Sequence, residues 1–181
     1  MAALYQIFDY PDAEENNSKL YDIVCQNLDH KVQGDGHITL MDLHSKKIKE
    51  IDSLLNWMKT VMCRAAYEFS SSGNDSGESM GFGINAFKIC ECWGIHYNKG
   101  ERVIKHNHFP YTLSFGYCVR SDENSSPFII EGERISSVPG RAVVFLAHQQ
   151  HGTDLNESDE RCMIVGNALY TPHELIRALA F

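Results

Sequence analysis

The chain has 181 residues, of which 43% are hydrophobic and 22% charged, with a formal net charge of −8. This is enough for one domain with a real core, and the acidity argues against nonspecific nucleic-acid binding, which needs a basic surface to displace counterions. No apolar run approaches the roughly 20 residues that cross a bilayer. The first residues lack the basic region and apolar core of an export signal, so a cytoplasmic protein with reduced thiols is expected.

Residues 12–30 carry a helical pattern, with Leu20, Ile23, Val24, Asn27 and Leu28 three and four apart and acids ahead of them. Gln33-Gly34-Asp35-Gly36 ends it. A second helix follows Ser45 as N-cap, with Ile48, Ile51, Leu54, Leu55, Met58, Val61, Met62 and Ala65 on one stripe that should cover one side of a sheet. The Ser/Gly-rich stretch 70–79 reads as a surface loop. Gly81-Phe82-Gly83 lacks the third glycine of a dinucleotide-binding turn. Six cysteines show no disulfide spacing. Cys90-x-Cys92 has no second pair to complete a zinc site, so buried thiols are the reading. From residue 86 short strands alternate with turns, at 86–97, 101–107, 112–120, 127–135, 141–147 and 161–169, with Pro139-Gly140 among the turns. That spacing fits a jelly roll. Thr171-Pro172-His173-Glu174 is a capping box opening a C-terminal helix. The expected organisation is one domain: a helical part over 1–79, a jelly-roll core over 80–170, and a helix over 171–181.

The chemistry concentrates in the strand-rich part. His106-Asn107-His108 places two imidazoles on one face if the segment is a strand. His151, 43 residues after His108, can close a facial metal site from a neighbouring strand. Neutral imidazole suits iron, zinc, copper and nickel alike. His148 competes with His151, and His96 is read as a wall residue.

The series Trp93, Tyr97, Gly100, His106-Asn107-His108, Pro110, Leu113-Ser114-Phe115-Gly116-Tyr117, Pro139-Gly140, Phe145, His151, Arg161 and Asn167 resembles the 2-oxoglutarate- and Fe(II)-dependent oxygenases, particularly small phage and marine-bacterial members related to prolyl hydroxylases. The resemblance covers roughly the last hundred residues. It implies a double-stranded β-helix with the N-terminal helices packed on one sheet. It also implies Fe(II) on His106, His108 and His151, with 2-oxoglutarate as co-substrate, and hydroxylation of a peptide or small molecule coupled to release of succinate. Arg161 would take the far carboxylate of 2-oxoglutarate, since a guanidinium offers it two parallel donors. Tyr97, Ser114 and Tyr117 would donate hydroxyls to the same carboxylate, and Asn167 would reach the metal-proximal end. Favouring His151 over His148 also follows from the resemblance, which places the distal ligand before a small residue. The departure is His108, which stands where the family usually has Asp; Glu131, Glu133 and Asp154 are the acids left to complete such a site. Gly100-x5-His106-x-His108 also begins like a cupin motif, but residues 109–115 lack the acid that cupins place there. The alternatives are therefore a cupin metalloenzyme working without 2-oxoglutarate, or a non-enzymatic jelly-roll module.

Overall fold

The structure, a computed structural model, describes residues 5–32, 36–71 and 86–171. The glycine pair at 81 and 83, most of the serine-rich stretch and the C-terminal helix expected from residue 172 lie outside those residues. One antiparallel sheet runs in the order β1 (Tyr5–Asp9), β8 (Arg141–Leu146), β5 (Leu113–Arg120), β10 (Arg161–Tyr170), β4 (Phe87–Tyr97), β3 (Gly36–Thr39) and β2 (Leu28–Val32). A smaller sheet of β7 (Glu133–Ile135), β6 (Phe128–Ile130) and β9 (His151–Thr153) faces it. Helices α1 (Ala13–Gln26) and α2 (Lys49–Ser71) cover the other face of the large sheet.

Strand alternation sorts the side chains into these layers. Along β8, Ala142 and Val144 turn to the helices while Val143 and Phe145 meet Ile130 and Ile135 of the small sheet. Along β10, Cys162, Ile164 and Ala168 join the helix-side core, whereas Met163 packs with Trp93, Ile95, Tyr97 and Cys118 inside the sandwich. The predicted stripe on α2 is the buried one: Ile51, Leu54, Leu55, Met58, Val61, Met62 and Ala65 are all at most 5% exposed. Among the described residues no helix is long and apolar enough to cross a membrane.

Three expectations need correction. The first 79 residues are not only helical, because β1, β2 and β3 belong to the large sheet; their partners lie in the second half of the chain or in one another, so the local pattern is weak. Ser45 does not cap α2: it closes a short 3-10 turn (Leu43–Ser45), with its hydroxyl donating to the Asp42 carbonyl, and the helix begins at Lys49. The stretch 101–107 is not a regular strand; among these residues only His106 makes a β-bridge. The turn at Pro139-Gly140 is present, and Gly140 takes the positive φ of 88° that glycine tolerates.

Helix α1 approaches the sheet at a glycine. A Cβ built on Gly94 of β4 would lie 2.5 Å from Val24 Cγ2, so the absent side chain sets the depth of the helix. Gly94→Ala should destabilise the fold by about 1–3 kcal/mol through overpacking. Denaturant titration checks this, and an unchanged midpoint would mean that α1 does not rest there.

Candidate metal centre

His106, His108 and His151 converge although His106 and His108 do not share a strand. The loop after β4 is fastened to the β8–β9 turn by backbone bonds. His106 and His151 exchange both amide–carbonyl hydrogen bonds, at 3.0 and 2.9 Å, and the His108 amide donates to the Ala147 carbonyl at 2.8 Å. The result is a cluster in which one ring nitrogen from each histidine lies within 4.8 Å of the others.

Two of the rings have a defined tautomer. His106 Nδ1 lies 2.7 Å from the Ile104 carbonyl and His151 Nδ1 lies 3.1 Å from that of Gln149. A carbonyl only accepts, so Nδ1 donates in both rings and Nε2 is the nitrogen left to face a metal. Rings surround the cluster: Trp93 sits 5.9 Å from His108, and Phe145 and Phe128 sit 4.7 and 5.6 Å from His151. Burial lowers the pKa of His108 to about 4, with the neighbouring His106 adding to the effect. Burial takes His151 down to about 3. Both are therefore neutral at pH 7 and competent as ligands.

The triad opens on a largely apolar cavity of about 270 Å³ whose walls include Trp93, Ile95, Tyr97, Ser114, Phe128 and Phe145. A wider groove elsewhere, about 810 Å³, runs between α2 and β4 past His44, Lys59 and Lys88, and includes none of the three clustered histidines.

Arg161 is fully buried on the inner face of the sandwich. Its guanidinium stacks 4.2 Å over the Tyr97 ring, and Nε donates to the Ser126 carbonyl at 3.0 Å. Nη1 and Nη2 are buried without a hydrogen-bond partner. Tyr97 lines the cavity, and Arg161 stands behind it, outside the lining.

The remaining predicted residues divide. Ser114 lines the cavity and donates to Asn167 Oδ1 at 2.8 Å. Asn167 Nδ2 donates in turn to Glu91 Oε2 at 2.9 Å. Tyr117 is a correction: it lies on the opposite face, against Tyr10 and Trp57, with its hydroxyl donating to Asn17 of α1. Ser114 and Tyr117 are three residues apart on an unbroken stretch of strand, so they cannot share a face. His148 is exposed, and His96 turns to Tyr21 of α1 at 3.3 Å. None of the three acids considered joins the triad: Glu131 accepts from the Gln150 amide, Asp154 pairs with Arg134, and Glu133 is exposed. The acid whose charge reaches His108 is Glu91, which the sequence reading missed. Its position two residues before Trp93 on the same strand was the available signal.

No protein-family model matches the chain, and no curated protein matches it. Solved structures do. The viral collagen prolyl hydroxylase of Paramecium bursaria Chlorella virus-1, in complex with 2OG, superposes with a TM-score of 0.68 at 8% identity over 93% of this chain and 97% of that one. A Pseudomonas putida prolyl-4-hydroxylase gives 0.65 at 15% identity over 92% of both chains. A non-heme alpha-ketoglutarate dependent epimerase from nogalamycin biosynthesis gives 0.66 at 10% identity over 93% and 78%. The protein thus has the double-stranded β-helix fold of the 2OG-Fe(II) oxygenases.

The depressed histidine pKa values carry a sign. The unfolded chain, near the ordinary value of 6.5, binds protons that folded His108 and His151 refuse, so stability falls as pH drops from about 6.5 towards the folded values. The metal-free protein should lose stability over that window, and His151→Leu should flatten the loss. Urea midpoints between pH 7 and 4 measure it; equal slopes in parent and variant would contradict the buried neutral ring.

Proposed function

We propose that the protein is an Fe(II)- and 2-oxoglutarate-dependent oxygenase that hydroxylates a C–H bond of a peptide or small-molecule substrate. The observation that carries this reading is Arg161. Two buried guanidinium donors without partners cost free energy, of order 1–3 kcal/mol per unsatisfied group. A carboxylate from a bound ligand removes that cost with two parallel bonds. Arg161 lies ten residues after His151, on the inner face and behind the cavity wall that the triad shares.

His106, His108 and His151 would hold the iron, which when bound supplies oxygen activation coupled to decarboxylation of 2-oxoglutarate to succinate. The donor set fits: three imidazoles, two of them oriented by carbonyls. The chain's own work is positional. The carbonyls of Ile104 and Gln149 hold the rings, Trp93, Phe128 and Phe145 keep water from the cavity, and Arg161 fixes the co-substrate's far end. With no carboxylate in the cluster among the described residues, a dianionic co-substrate would supply the negative charge that the site's own side chains do not. The same absence favours one second reading, a three-histidine metalloenzyme that does not use 2-oxoglutarate.

Calorimetric titration of 2-oxoglutarate into the anaerobic Fe(II) protein separates the two readings. Arg161→Ala should weaken binding at least about tenfold, equivalent to about 1.4 kcal/mol, while leaving iron content unchanged. No binding to the parent removes the oxygenase reading, and equal binding to parent and variant removes Arg161 from this role. Alanine at any of the three histidines should weaken Fe(II) binding at least about tenfold, since each supplies a ligand. His108→Asp should keep iron and retain or raise 2-oxoglutarate turnover, read as succinate release.

A further inference from the structure

One row of directly opposed residues crosses the large sheet beneath the histidines: Phe145 on β8, Ser114 on β5, Asn167 on β10 and Glu91 on β4. The row spans the space between two ligands. Phe145 touches His151 at one end, and Trp93, two residues from Glu91, touches His108 at the other. Ser114 and Asn167 are each 1% exposed, so their hydrogen bonds cannot be exchanged freely with bulk water.

The chemistry of the four groups sets the direction of those bonds. An ionised carboxylate only accepts. Glu91 therefore takes the amide nitrogen of Asn167, at 2.9 Å. That turns the Asn167 carbonyl to Ser114, whose hydroxyl must donate, at 2.8 Å. Ser114 has one hydrogen and has used it, so towards the cavity it can offer only lone pairs. Tyr111 also hydrogen-bonds to Glu91, which adds a donor to the carboxylate and none to the cavity.

We infer that Ser114 is a specificity-determining hydrogen-bond acceptor for the substrate: the group seated beside it carries an N–H or O–H, and it is not the co-substrate's carboxylate. This reverses the role expected from the sequence, where Ser114 donates to that carboxylate. Beside the three histidines of the metal cluster and Tyr97, whose ring lies against Arg161, Ser114 is the polar side chain of a lining otherwise made of residues such as Trp93, Ile95, Phe128, Phe145 and Val165. Such a wall takes an amide or similar donor on an apolar frame. Glu91 is the positioning residue, because its inability to donate keeps the chain pointing one way.

The inference rests on reading this cavity as the substrate chamber, but its test needs neither iron nor 2-oxoglutarate. Two rings of equal size, 2-pyrrolidinone and γ-butyrolactone, differ in an N–H replaced by oxygen. Binding of each to the full chain, with Zn(II) and without, is followed through the NMR signal of the Trp93 indole. The parent should prefer the lactam by at least about fivefold, the worth of one hydrogen bond. Ser114→Ala should bring the ratio near one, with its melting temperature confirming the fold. Glu91→Gln can still accept from Asn167 through its amide oxygen but no longer forbids the reverse order, so it should lower the preference while leaving every cavity side chain in place. A lactone that binds the parent as well as the lactam does, a ratio that survives Ser114→Ala, or no response of Trp93 to either ring overturns the inference. Loss of 2-oxoglutarate binding in the separate titration would leave these ratios untouched.

Discussion

The period-two alternation of β10 is the constraint on which the molecule depends. This strand sits between β5 and β4 in the middle of the large sheet and has neighbours on both edges and both faces. One set of its side chains, Cys162, Ile164 and Ala168, anchors the helices. The other set points into the sandwich and carries Arg161 at one end and Asn167 at the other, with Met163 and Val165 between them. A slip of one residue would exchange the two sets, sending a guanidinium into the helix packing and thiol and methyl groups into the cavity. Register and site chemistry are thus one requirement.

The metal centre depends on a different kind of bond. Its ligands come from an irregular loop and from the first residue of a three-residue strand, elements with little intrinsic order. Reciprocal backbone bonds between His106 and His151 join them, and the bond from His108 to Ala147 extends the seam. The helices supply the rigidity behind it. Their apolar stripe buries one face of the sheet, which leaves the other face free to line a chamber. The pKa values of His108 and His151 fall because that chamber is apolar, and neutral rings are what a cation needs.

Much of this was legible in the linear sequence, and the reason is periodicity. The stripe on α2 has a 3.6-residue repeat that only a helix satisfies, and its members are the buried ones. The strands β4, β5, β8 and β10 were read within a residue or so, because each is long or strongly apolar. His106, His108 and His151 could be nominated by residue type and spacing. The same alternation rule, applied to Ser114 and Tyr117, would have separated them at once.

What the sequence could not decide depends on contacts between distant residues. Strands β1, β2 and β3 are short and form by pairing with β8, with each other and with β4, so no local pattern announces them. Glu91 became part of the site only because β4 and β10 set it opposite Asn167, and β10 and β5 set Asn167 opposite Ser114. The direction of hydrogen bonding along that row exists only once those partners meet. The sequence by itself determined which residue types are present and how each turns relative to its near neighbours. Tertiary structure decided which of them are buried together, and burial converts a histidine into a neutral ligand and an arginine into an unsatisfied donor.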